Sequence, residues 1–113
     1  MKAKAKRTLV KSAPELWECA DDVARMEAWM AGLVGVAGPV EVTKREPQRR
    51  LAWRSTTNGD ARIAIELAEK GWGTAVSITA HHGSPDRADA ALARLLDELG
   101  SPERRPFTAR ERA

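Results

Sequence analysis

The chain has 113 residues, of which 42% are hydrophobic and 31% charged, the composition of a single folded domain and not of a disordered chain. Its net charge of +3 is unevenly spread: residues 1–11 carry Lys2, Lys4, Lys6, Arg7 and Lys11 with no acid, and residues 103–113 carry four Arg against two Glu, so the body between is acidic, which argues against a nucleic-acid partner. Cys19 is the sole cysteine, which excludes an intrachain disulfide, and no window approaches the ~20 apolar residues of a membrane span, so a cytoplasmic protein is expected.

In chain order, Ala3 to Val10 alternates alanine with lysine and ends in Thr-Leu-Val, the pattern of a strand with one solvated face. Ser12-Ala13-Pro14-Glu15 reads as a capping box: the Ser12 hydroxyl takes a free amide of the first turn, Glu15 reaches back, and Pro14 sits where no N–H partner is needed. The helix that follows holds Leu16, Trp17, Cys19 and Ala20, with Cys19 expected as a buried thiol. Asp21-Asp22 breaks it and caps a second helix, where Val23, Met26, Trp29, Met30 and Leu33 approach the spacing of one buried face. Gly32, Gly35 and Gly38-Pro39 end that helix.

A four-strand meander is expected next. Val40 to Arg45 and Arg50 to Thr57 flank a turn preset by Pro47, and Asn58-Gly59-Asp60 is a strong hairpin signal. Ala61 to Glu69 and Thr74 to His81 then flank a turn containing Trp72 between two glycines. Period-two parity puts Leu51, Trp53, Ser55, Thr57, Ile63, Ile65, Leu67, Val76, Ile78 and Ala80 on one face and turns Arg50, Arg54, Arg62, Glu66 and Thr79 to water. Asp86 to Leu99 forms a helix whose stripe of Ala88, Ala91, Leu92, Leu95, Leu96 and Leu99 can cover the apolar face, with Gly100 and Pro102 as its stop. A single domain over residues 1–102 and a flexible tail over 103–113, with Phe107 as its one apolar anchor, complete the reading.

The order strand, two short helices, meander, long helix is that of the α+β helix-grip fold: an antiparallel sheet of about five strands with the last helix packed across it. Ser12-Ala13-Pro14-Glu15-Leu16-Trp17, followed at a distance by Trp29, resembles the first helix of the START-like (SRPBCC) superfamily, which includes polyketide cyclases. Pro47-Gln48-Arg49-Arg50-Leu51 is similar to its Pro-x-Arg-x-Leu strand start, and Gly73-Thr74-Ala75-Val76 to its Gly-Thr-x-Val. The resemblance covers about residues 3 to 100. It also implies a shortened member, because the family usually has two more strands before Pro-x-Arg-x-Leu and here only Gly32 to Pro39 fills that interval.

The resemblance implies a module that binds or carries an apolar small molecule between the last helix and the sheet, lined by Trp29, Trp53, Ser55, Ile65, Leu67, Ile78, Leu92 and Leu96. An alternative is a protein-interaction or co-chaperone-like module acting through the outer face (Arg50, Arg54, Arg62, Glu66) or the edge near Val40 and Val42, with Trp72 as an interface anchor and a homodimer through the edge strand. A third is a cyclase- or dehydratase-like enzyme, for which His82 is the one catalytic candidate. His81 and His82 point to opposite faces of a strand and cannot share a metal, and no ligand spacing supports one, so neither metal nor cofactor is expected. Asp21-Asp22 and Asp97-Glu98 are better explained by capping and solvation than by acid catalysis.

Overall fold

The computed structural model describes residues 2–57, 61–81 and 85–100. Its elements are β1 (Lys2–Leu9), α1 (Ala13–Ala20), α2 (Val23–Val34), β2 (Val40–Glu46), β3 (Arg50–Ser55), β4 (Arg62–Lys70), β5 (Gly73–His81) and α3 (Pro85–Gly100). The local signals act as the sequence predicts. Ser12 Oγ accepts from the Glu15 amide at 3.3 Å while Glu15 Oε1 accepts from the Ser12 amide at 3.2 Å, which closes the capping box of α1. Asp22 Oδ1 accepts from the Ala24 amide at 2.9 Å and starts α2, and Gly35, at φ 88°, takes the left-handed cap that ends it. Gly32, expected among the residues ending α2, lies inside it. In the β2–β3 turn the Arg49 amide donates to the Glu46 carbonyl at 2.9 Å, with Pro47 leading and Gln48 at φ 64°.

All five strands form one antiparallel sheet in the order β1-β5-β4-β3-β2. The first strand of the chain therefore pairs with the last, which leaves β1 and β2 as the two edges. Its register sets Ala3 opposite Ala80 and Ala5 opposite Ile78, extending the apolar face across β1. At the other edge the register shifts between Val42 and Lys44, a bulge in β2 opposite Trp53 and Ala52. Where β5 leaves its turn, a Cβ on Gly73 would collide with the Leu9 carbonyl oxygen, so the residue type is dictated by the approach of β1.

The three helices cover one face. Leu51, Trp53, Ile63, Ile65, Val76, Ile78 and Ala80 of the sheet meet Leu16 of α1, Met26, Trp29, Met30 and Leu33 of α2, and Leu92, Leu95, Leu96 and Leu99 of α3 in one contiguous core. Polar ties fasten this layer. Arg7 of β1 pairs with Asp97 of α3 at 3.1 Å, Arg45 of β2 with Asp21 at the end of α1 at 3.0 Å, and Trp29 Nε1 donates to Glu98 Oε1 between α2 and α3 at 2.8 Å.

Three side chains depart from their expected places. Val23 is half exposed because it is the first helical residue after its cap. Cys19 is half-buried, not buried, and its Sγ accepts from the Arg25 guanidinium at 3.0 Å. Thr57 has inward parity but lies beyond the end of β3 and is exposed. The Asn58-Gly59-Asp60 turn, His82 and the expected tail over 103–113 lie outside the described residues. Among the described residues no helix is long and apolar enough to cross a membrane.

Candidate functional site

Parity brings the eight nominated lining residues together on the inner face. Trp53, Ser55, Ile65, Leu67 and Ile78 come from β3, β4 and β5, and Trp29, Leu92 and Leu96 face them from α2 and α3. Every one is buried, none more than 8% exposed. Trp29 and Trp53 meet with ring centroids 5.9 Å apart and planes inclined at 34°, a tilted aromatic contact at the centre of the core.

The polar groups of this interior differ in how they are satisfied. Ser55 Oγ accepts from the Thr57 amide at 3.1 Å and lies 3.2 Å from Thr57 Oγ1, so it closes the end of β3. Trp29 spends its N–H on Glu98. Trp53, fully buried, has no hydrogen-bond partner for Nε1 among the described residues. A buried donor left unpaired costs about 1–3 kcal/mol, so this atom is where the interior is chemically incomplete. Sequence parity placed Trp53 inside; the orphaned N–H depends on ring orientation and the neighbours around it, which no spacing encodes.

Open concavities elsewhere include two lined by described residues. One, of about 470 Å³, lies between the β1–α1 connection (Val10, Lys11, Ser12) and the β4–β5 turn, where Trp72 is 98% exposed and Val10 is 87% exposed. Trp72, nominated as an interface anchor, thus stands clear of the core in its glycine-flanked turn. The other, of about 280 Å³, is a trough on the outer sheet face, lined by Thr43, Ala52, Arg62, Ala64, Thr79 and His81 with backbone of Trp53 and Ile63 beneath. Arg50, Arg54, Arg62 and Glu66 all face outward and are exposed. Val40 and Val42, on edge strand β2, are half-buried against the core margin. No group of three or more metal-binding side chains occurs among the described residues.

The architecture, a five-stranded antiparallel sheet with the last described helix packed across it, is the helix-grip arrangement expected from the order of elements. Comparison with solved structures agrees. The chain is similar to the Aha1 dimer from Colwellia psychrerythraea at 17% identity and TM-score 0.68, covering 88% of this chain and 93% of that one. It is similar to the DR_A0006 protein from Deinococcus radiodurans at 17% identity and TM-score 0.63, covering 88% and 97%. With CalU16 from Micromonospora echinospora the identity is 18% and the TM-score 0.56, covering 89% and 76%. At these identities the likeness is one of fold. The shortening inferred from the sequence does not set the chain apart from the first two, which it spans almost end to end. No protein-family model matches the chain, and no curated protein matches it in sequence.

Proposed function

We propose that the protein binds or carries a small, largely apolar molecule bearing one hydrogen-bond acceptor, received between α3 and the sheet, with the Trp53 indole N–H as the group that reads the acceptor. The observation that carries this is the orphaned Trp53 Nε1 in an otherwise apolar interior. A site of this kind needs an apolar lining with very few polar groups to fix orientation, and Trp29, Ile65, Leu67, Ile78, Leu92 and Leu96 supply the lining. Ser55 stands at its margin with its hydroxyl committed to the strand end. Because the lining side chains are packed against one another, entry requires α2 and α3 to move away from the sheet. The ties to be loosened are those of Arg7 with Asp97 and, between the two helices, Trp29 with Glu98.

Native mass spectrometry of the protein purified from its own host tests this, since it reports any retained small molecule directly. The expected result is an adduct that Trp53→Phe, which keeps an aromatic ring and removes the N–H, reduces by roughly tenfold, the equivalent of one hydrogen bond. An adduct retained equally by folded Trp53→Phe, or no adduct on the wild-type chain, overturns the reading.

A second reading, self-association through β2, is supported by the free edge that begins at Val40 and Val42 and by the solved neighbour that is itself a dimer.

A further inference from the structure

Among the described residues no helix lies on the outer face of the sheet, and the register sorts its side chains into rows that run across the strands. In one row Arg54 of β3 stands opposite Arg62 of β4, and Arg62 stands opposite His81 of β5. Like charges directly opposite on a sheet are destabilising, so this row is maintained at a cost to the fold. Arg54 is compensated by Glu41 of β2 at 2.7 Å. Arg62 has no ion-pair partner among the described residues.

The rows beyond it are built differently. The next is small and neutral at its centre, with Ala52, Ala64 and Thr79 in register and Lys4 of β1 opposite Thr79. In the one after that Arg50 pairs with Glu66 at 3.5 Å and, at its β2 end, Glu46 pairs with Lys44 at 3.3 Å, with Lys6 of β1 at the other end opposite Ser77. Beside the trough floored by Ala52 and Ala64 and walled by Arg62, His81, Thr43 and Thr79, the arginine without an ion-pair partner is therefore Arg62, with Lys4 and Lys6 of β1 adding exposed positive charge along the edge of the face.

The geometry points to this trough as a docking surface for an acidic segment of a partner protein, with Arg62 as the anchor for one Asp or Glu carboxylate. Charge complementarity selects the sign of the occupant. The trough, at about 280 Å³, lies just below the ~300–1,000 Å³ of small-molecule sites and suits a side chain presented from a docked segment. Arg54 and Arg62 stand on adjacent strands with the His81 imidazole on the strand beyond, a polar row of about 10 Å at the usual strand spacing, which matches a few residues of extended peptide. A nucleic-acid track needs a longer run of cations with aromatic faces for the bases, and the described side chains of this face include no Trp, Tyr or Phe. Guanidinium binds carboxylate through two parallel hydrogen bonds, and the flanking threonine hydroxyls and imidazole add donors. The surface lies on the opposite side of the sheet from the proposed ligand interior, so the two fail or stand separately.

Fluorescence anisotropy of a labelled peptide alternating glutamate with alanine, titrated with the full chain at low ionic strength, tests the inference. Binding is expected, and Arg62→Glu is expected to weaken it at least about tenfold, while Arg62→Lys, which keeps the charge and loses the two-pronged hydrogen bond, falls between the wild type and Arg62→Glu. Arg94→Glu, the same charge change on the exposed side of α3, leaves binding unchanged. Circular dichroism establishes that each variant is folded, and Arg62→Ala serves in place of Arg62→Glu if the latter is not. No binding of the peptide, equal weakening by Arg62→Glu and Arg94→Glu, or binding only of an oligothymidylate or of phosphatidylserine vesicles in parallel arms overturns the proposal.

Discussion

Trp29 and Trp53 are neighbours of the same type, both buried, yet they do opposite things with their polar atom. Trp29 delivers its N–H to the Glu98 carboxylate at 2.8 Å, a charge-assisted bond between α2 and α3, whereas Trp53 is fully buried with its N–H unpaired. Burial alone would rank Trp53 as the costlier residue to replace. Hydrogen-bond accounting reverses the order: Trp29→Phe loses a bond of about 1.5–3 kcal/mol, leaving Glu98 to Arg94 and water, while Trp53→Phe removes an unsatisfied donor that offsets part of the lost indole packing. Urea denaturation should therefore show Trp29→Phe destabilising the chain by about 1 kcal/mol more than Trp53→Phe. If Trp53→Phe proves the worse of the two, the N–H has a partner in solution and the ligand reading loses its support. The sequence placed both rings in the core, because helical spacing and strand parity report which way a side chain points. It was silent on their hydrogen bonds, since Glu98 lies 69 residues from Trp29 and reads as an exposed helix acid.

At the scale of elements, the signals that proved legible were those in which a few adjacent residues satisfy one another. Ser12 and Glu15 close their box within one turn, Asp22 caps with its own side chain, and the alternation of Leu51, Trp53, Ile63 and Ile65 needs only the pleat. What stayed hidden depended on partners far along the chain. The pairing of β1 with β5, the bulge between Val42 and Lys44, and the row from Arg54 through Arg62 to His81 exist only once register is set. The capping box gives a direct measure of the local contribution. Ser12→Ala removes the acceptor of the Glu15 amide and should lower stability by about 1 kcal/mol, with the urea dependence of unfolding unchanged because the surface exposed on unfolding is the same. Ser12→Asp, which restores an acceptor, should recover most of that loss. A null result for Ser12→Ala would mean that the packing of Leu16 and Pro14 alone fixes the start of α1.

For the whole molecule, the two edges of the sheet are protected unequally. Edge β1 carries exposed Lys4 and Lys6 and is tied to α3 by the Arg7–Asp97 pair, so another strand meets charge along its length. Edge β2 divides at its bulge: beyond it Lys44 and Arg45 are charged and exposed, and before it Val40 and Val42 are apolar and half-buried. A second copy pairing at β2 thus finds only the stretch from Val40 to Val42 regular and uncharged enough to extend the sheet, with Glu41 between them held by Arg54 on the outer face. Three residues of ladder bury far less than the ~1,200–2,000 Å² of a stable interface. Self-association through this edge should therefore be weak and concentration-dependent, with the mass in sedimentation equilibrium rising from monomer toward dimer as protein is added. Val40→Lys should hold the chain at the monomer mass at every concentration by placing a charge on the uncharged part of the edge, while Val10→Lys, at an exposed site before α1, should leave the rise intact. A dimer that survives Val40→Lys must form through another surface, and the exposed Trp72 beside Val10 is then the apolar patch to substitute next.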